Sequence, residues 1–396
     1  MNFVSILSAS VLGRLVINSL RRVPYAIMTD LAAALGIPRE TLAAAVAVQS
    51  SMGFASPLLG PFIDRSRRKQ IMLLALGIFI LITATGAAVS WLGLSVTIVL
   101  AVLVIAGLCK ILYDPAMLAY VSTHTPASRR GFAIGISETA WAMSLVIFAP
   151  LAAFLLVNAN VGSIFAVICA CGVAAFVLVW RLLPDDPAPV NVVTVKNNWN
   201  VLFSQRSAVM LILGIACHSL ASEIMSIGYE KWFKDTFLLS VGALGTLALY
   251  ISAAEFGGEL LVAGLADRLG RRRLTLLMLT SSALFCLLLP LMGLSLPFAI
   301  VALVGLYISF ETSVVAIISL SMDVLPEARG MLITGVIGVS AGTRVLGTLV
   351  GSTLLTTSGF ALSGIVSTVI FILAVVIIWR FVPEINSHAA PLERNV

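Results

Sequence analysis

Leu265-Ala266-Asp267-Arg268-Leu269-Gly270-Arg271-Arg272 decides the fold of this 396-residue chain. It is a short basic loop between two long apolar runs. A related stretch, Gly60-Pro61-Phe62-Ile63-Asp64-Arg65-Ser66-Arg67-Arg68-Lys69, places its Asp-Arg pair 203 residues earlier. A second pair agrees, since Arg130-Gly131 recurs as Arg329-Gly330 at an offset of 199. Basic loops repeated at nearly one spacing describe a chain built of two parallel halves.

The residues between the loops say what the halves are made of. Hydrophobic residues make up 60% of the chain and charged ones 11%, with a mean hydropathy of +1.09. Soluble domains run at about 45–50% apolar and about 25% charged, so this composition excludes a water-soluble enzyme or nucleic-acid binder. A membrane helix takes about 20 apolar residues. Apolar runs broken by charge, Gly/Pro or polar clusters predict twelve spans, at 7–33, 41–63, 70–90, 95–119, 131–156, 161–183, 207–230, 241–266, 273–293, 297–321, 331–356 and 361–382. The expected organisation is an N-terminal six-helix bundle over 1–183, a Pro- and Asn-rich linker over 184–206, a C-terminal six-helix bundle over 207–383 and a tail over 384–396. The first span has no basic stretch before it and no small-residue cleavage site after it, which reads as a retained helix.

Charge placement orients the chain. Sixteen of the 24 Lys and Arg fall in the loops on one side, and only Arg39, Lys231 and Lys234 on the other. Positive residues stay inside, so the expectation is a multi-pass protein of the inner (plasma) membrane with both termini cytoplasmic. The net charge of +6 then reflects topology, with no nucleic-acid partner implied. The five cysteines (109, 169, 171, 217, 286) sit in apolar runs without metal-type spacing and read as small hydrophobes. No phosphate-cradling Gly-rich Lys motif is present, so no cofactor, no metal and no ATP-driven step are expected. A convergent nucleophile or metal set is missing as well, and the chain is read as a non-enzyme.

The two loops resemble the Gly-x-Leu-Ala-Asp-Arg-x-Gly-Arg-Arg/Lys pattern of the major facilitator superfamily. The second copy departs from it only at Ala263, in the first Gly position. The first copy keeps Gly60, Asp64, Arg65 and Arg68 and has Arg67 where the second Gly falls. The resemblance covers nearly the whole chain. It implies an all-α membrane protein with twelve transmembrane helices in two pseudo-symmetric six-helix bundles, a monomer that moves a small molecule by alternating access, driven by protons. It also implies cytoplasmic gating loops at Gly60, Asp64, Arg65, Arg68, Arg130, Asp267, Arg268, Gly270, Arg271 and Arg329. Asp64 and Arg65 would form a latch, with Arg129, Arg130 and the start of the eleventh span as its partners. General likeness to prokaryotic efflux permeases favours export. Proton-coupled uptake of an anionic or sugar-like solute, and lipid or lysolipid transport, are the alternatives. Two family marks are altered: Leu103 stands where an Arg is common in the fourth span, and Ala149-Pro150 with Ala153 replace fifth-span glycines.

A charge inside a bilayer costs at least about 2.5–3.5 kcal/mol, so each one needs a reason. Between the loops lie five cations (Arg14, Arg21, Arg22, Lys110, Arg344) and six acids (Asp114, Glu138, Glu223, Glu255, Glu259, Glu311). From these the candidate substrate or proton-coupling residues are Arg21, Arg22, Lys110, Asp114, Glu138, Glu255, Glu259, Glu311 and Arg344. Lys110 and Asp114 are four apart and can pair on one helix face. Arg21 and Arg22 point about 100° apart, so at most one is expected to face a central site squarely. Glu255 and Glu259 share a face, and two carboxylates so close are not both ionised without a cation. His218 reads as a helix-to-helix hydrogen bonder.

Overall fold

The computed structural model describes residues 3–185, 195–239 and 241–384. Among the described residues the regular structure is entirely helical, and twelve helical stretches are long and apolar enough to cross a membrane. In order they are Phe3–Pro24, Ala44–Arg65, Arg68–Trp91, Val96–His124, Ala127–Asn158 and Val161–Leu182, then Arg206–Phe237, Leu249–Leu269, Arg271–Met292, Leu296–Val324, Arg329–Thr357 and Phe360–Phe381. A helix suits long apolar runs in hydrocarbon because it pairs every backbone N–H and C=O in its interior within its own segment.

Several boundaries differ from the expected ones for local reasons. The first helix ends at Ala26, soon after Pro24, and a separate short helix, Met28–Ala34, follows. The second span is interrupted by a 3₁₀ turn at Met52–Ala55, just before Pro57. The fifth changes helices at Thr139, between Arg130–Glu138 and Ala140–Asn158. The seventh runs on to Phe237, where Trp232, Phe233 and Phe237 pack ring to ring and Leu238 takes a left-handed φ of 52°. The stretch expected as linker contains a helix, Val195–Ser204, with Leu202 buried; 186–194 and the tail beyond 384 lie outside the described residues.

By contact the chain separates into two compact units, Met1–His124 with Ser137–Val195, and Thr125–Ile136 with Lys196–Val396. The segment Thr125–Ile136, expected within the N-terminal bundle, thus groups with the second unit. In the first unit, Gly107 lets the fourth span lie against the second: a Cβ there would come within 2.6 Å of the Gln49 carbonyl oxygen. Because backbone cannot swing aside, Gly107→Val is expected to cost about 1–3 kcal/mol through overpacking. Thermal unfolding in detergent checks this, and an unchanged midpoint would contradict the close approach. Lys69, at the start of the third span, meets Asp185 beyond the sixth at 2.9 Å, a hydrogen bond that holds this exposed carboxyl below its usual range.

Small residues seat the helices of the second unit too. A Cβ on Gly258 would lie 2.9 Å from the Cβ of Glu311, and one on Gly347 would lie 2.7 Å from the Cβ of Glu223. The buried His218 meets the Phe310 carbonyl oxygen at 3.1 Å and lies edge-on to Phe310 and Phe371. That is the hydrogen-bonding role its position suggested. All five cysteines are free thiols.

Candidate functional site: an ion network and a cation cluster

Inside the first unit, three spans bring their charges together. Arg14 lies between two acids, with its Nη1 2.7 Å from Glu138 Oε1 and its Nε 3.4 Å from Asp114 Oδ1. The same Nη1 donates a hydrogen bond to the Ser137 carbonyl at 3.0 Å. Lys110 donates to Asp114 at 2.5 Å and to the Asn18 side-chain oxygen at 2.6 Å. The expected pairing of Lys110 with Asp114 is therefore present, joined to a larger network with Arg14 at its hub. Arg14, Asp114 and Glu138 are all buried.

Lys110 also joins this network to Trp141. The Arg22 guanidinium lies 4.4 Å from the centre of its ring, the Lys110 ammonium 5.1 Å and the Arg21 guanidinium 5.5 Å. Trp141 and Lys110 both sit near the middle of their spans, Ala127–Asn158 and Val96–His124. Adjacent arginines were expected to diverge. Both reach the same ring, because a side chain with several rotatable bonds offsets the 100° between their Cα–Cβ directions. Arg21, Arg22, Lys110 and Trp141 are only partly buried, unlike Arg14, Asp114 and Glu138.

The remaining candidates lie in the second unit. Glu259 is fully buried, Glu255 one turn away on the same helix is half-buried, and Glu311 packs beside Gly258 of that helix. Glu223 accepts a hydrogen bond from Thr348 at 3.3 Å. Arg344 is exposed. Tyr307 donates to Ser226 at 3.1 Å and packs edge-on to Tyr229.

The repeated loops form a second polar centre. Asp267 accepts from the backbone N–H groups of Gly131 and Phe132 at 2.8 Å each, capping the helix that begins at Arg130. A carboxylate is favoured there because the first N–H groups of a helix lack internal partners and carry its positive end. Arg271 pairs with Asp267 at 2.7 Å and also with Asp323, which in turn binds Arg130. Gly270 has φ +88°, a conformation that favours glycine, whereas Arg67 at the matching place in the first copy has an ordinary φ of −68°. That difference explains how the first copy dispenses with its glycine. Gly60 is buried in the helix that ends with Asp64 and Arg65, both half-buried in the first unit. Arg68 donates to Thr123 at 2.7 Å and Arg329 to the Met322 carbonyl at 3.0 Å, while Arg129 and Arg268 are exposed.

Arg14, one of the five intramembrane cations, was not among the expected site residues, and neither were Asn18 and Asp323. Arg14 and Asn18 precede Arg22 at successive four-residue steps, a polar stripe on one helix face that the apolar-run reading passes over. Asp323 lies at the end of the helix Leu296–Val324, where an acid opposes the helix dipole unless cations offset it.

Twelve apolar helices carrying internal ion networks, with repeated basic loops, define a polytopic carrier. The family model described as Major Facilitator Superfamily matches residues 10–342 and 211–395, and the chain belongs to that superfamily. It is a multi-pass membrane transporter, not an enzyme. No curated protein matches it in sequence. Among solved structures, the proton:xylose symporter XylE bound to 6-bromo-6-deoxy-D-glucose is similar with a TM-score of 0.76 at 16% identity, covering 96% of each chain. A bacterial homologue of the iron transporter ferroportin in the outward-facing state gives 0.76 at 17%, covering 95% of this chain and 99% of that one. The E. coli fucose:proton symporter FucP gives 0.77 at 13%, covering 96% and 99%. At these identities the likeness is one of fold.

Proposed function

We propose that this transporter exports a small solute across the plasma membrane by alternating access, coupled to protons, as a monomer with both termini cytoplasmic. Proton coupling rests on the acids of the second unit. Among the described residues, Glu255 and Glu259 stand one helical turn apart on one helix, and Glu311 packs against Gly258 of that helix. Carboxylates gathered in a low-dielectric setting do not ionise independently of one another, which suits this unit to take up and release a proton. Glu259, fully buried, and its neighbours Glu255 and Glu311 are the proposed coupling acids. The repeated loops are proposed as the cytoplasmic gate, with Asp267, Arg271 and Arg130 acting on the second-unit side and Asp64, Arg65 and Arg68 on the first. Export rests on the general resemblance of the sequence to prokaryotic efflux permeases.

Proteoliposomes loaded with a solute panel and given an imposed pH difference test the reading. One pH unit supports about a tenfold concentration ratio for each proton coupled. In at least one of Glu255→Gln, Glu259→Gln and Glu311→Gln the ratio is expected to fall to about one, with solute exchange in the absence of a gradient retained. If all three keep the full pH-driven ratio, proton coupling through these acids is wrong.

A further inference from the structure

We infer that Arg344 and Glu223 form a split-charge subsite in the second unit, and that the transported solute is a small zwitterion whose carboxylate docks on Arg344 and whose ammonium docks on Glu223. The inference deepens the transporter reading and rests on it for the transport step only. Its first support is placement. The seventh and eleventh spans, Arg206–Phe237 and Arg329–Thr357, touch through Ser219 with Ser340 at 2.6 Å and through Glu223 with Thr348 at 3.3 Å. Gly347 packs into the same seam, where a Cβ would meet the Leu220 carbonyl oxygen at 2.9 Å. Residues four apart on a helix point only about 40° from one another, so Arg344, one turn from both Ser340 and Thr348, stands on that seam. The exposed apolar side of its helix lies elsewhere, at Val345, Leu346 and Leu349. Both charges fall near the middle of their spans.

The second support is charge. Among the described residues neither Glu223 nor Arg344 makes an ion pair, with the other or with any third group. Glu223 accepts from the Thr348 hydroxyl, and Arg344 acts electrostatically on His218, which brings no negative charge. A charge at mid-depth is costly unless it is paired or lines a water-filled cavity. An arginine and a glutamate kept separate about one turn apart on touching helices are placed for a solute that pairs with both. A zwitterion cancels each charge and adds none, whereas an anion alone would leave Glu223 uncompensated and a cation alone would leave Arg344 so. The guanidinium fork matches the two oxygens of a carboxylate, and the Glu223 carboxylate accepts from an ammonium. The third support is access: Arg344 is exposed and Glu223 half-buried, so neither is sealed in the seam. Ser226, three residues on from Glu223 and on the same face, receives the Tyr307 hydroxyl from the tenth span at 3.1 Å and continues the polar wall beside the ammonium end.

The test is ligand binding to the purified full-length protein in detergent, with no membrane and no pH gradient. Calorimetric titration and thermal shift are read against four zwitterions, L-alanine, L-phenylalanine, γ-aminobutyrate and glycylglycine, which cover a range of sizes and charge separations. Propionate and propylamine, each carrying one of the two charges, and xylose, carrying neither, are the controls. At least one zwitterion is expected to bind saturably and at least about tenfold more tightly than either half. Its affinity should fall about 10- to 100-fold in Arg344→Gln and in Glu223→Gln, and less in Arg344→Lys, which keeps the charge and loses the fork. If one glutamine variant unfolds, the other decides. The inference is overturned if no zwitterion binds, if propionate or propylamine binds as tightly as the zwitterions, or if binding survives unchanged in the glutamine variants. A lowered thermal midpoint in both variants without zwitterion binding to the native protein would likewise overturn it, leaving Arg344 and Glu223 a structural pair. Zwitterion binding without proton-driven transport would retain the subsite and remove the coupling reading. Proton-driven movement of xylose by a protein that binds no zwitterion would do the reverse.

Discussion

Replacing Asp323 with alanine is expected to be the most damaging single change at the loop end of the second unit, costing about 3–5 kcal/mol. Asp323 lies between Arg130 and Arg271, all three side chains at most 12% exposed. Removing it leaves two guanidiniums next to each other with their shared counter-charge gone. Arg271 keeps Asp267, so the loss falls mainly on Arg130, which begins the helix that Asp267 caps. The double variant Asp323→Ala/Arg130→Ala should recover part of the loss, because it removes one of the two like charges that Asp323 held together. The measurement is the thermal midpoint of the detergent-purified protein, followed by transport in liposomes. Equal midpoints for the native and Asp323→Ala proteins would show that the bridge contributes nothing to the fold.

The second large effect is expected at Arg14. Arg14→Leu removes the hub of the first unit's network and leaves Glu138 buried beside an aliphatic side chain, again about 3–5 kcal/mol. Asp114 retains Lys110 at 2.5 Å, so the penalty is concentrated on Glu138. Pairing Arg14→Leu with Glu138→Gln should therefore restore most of the stability, whereas pairing it with Asp114→Asn should not. A double-mutant cycle on thermal midpoints separates these outcomes. Full restoration by Asp114→Asn alone would mean that the 3.4 Å contact, and not the 2.7 Å one, is the dominant pair.

Much of this was legible residue by residue, and the limits are instructive. The pairing of Lys110 with Asp114 could be read because both lie on one helix four residues apart, a distance set by the helix itself. The Arg14–Glu138 pair could not, because the partners are 124 residues apart and meet only when two spans are rotated to face each other. The convergence of Arg21 and Arg22 on one ring ran against the helical-wheel expectation, which fixes where a Cβ points and not where a long side chain ends. Asp323 went unremarked because no matching acid exists in the first half to mark it as part of the repeat.

The sequence by itself determined the number of spans, their order, the repeat of the basic loops and the superfamily. Long continuous apolar runs cross hydrocarbon as helices, and charge placement follows topology, so each of these properties is local along the chain. Only the tertiary structure decided which buried charges meet: Arg14 with Glu138, Asp323 with two arginines, and three cations on Trp141. Those meetings depend on the rotation of each helix about its own axis, which small-residue contacts such as those at Gly107 and Gly258 set and no single-helix pattern records.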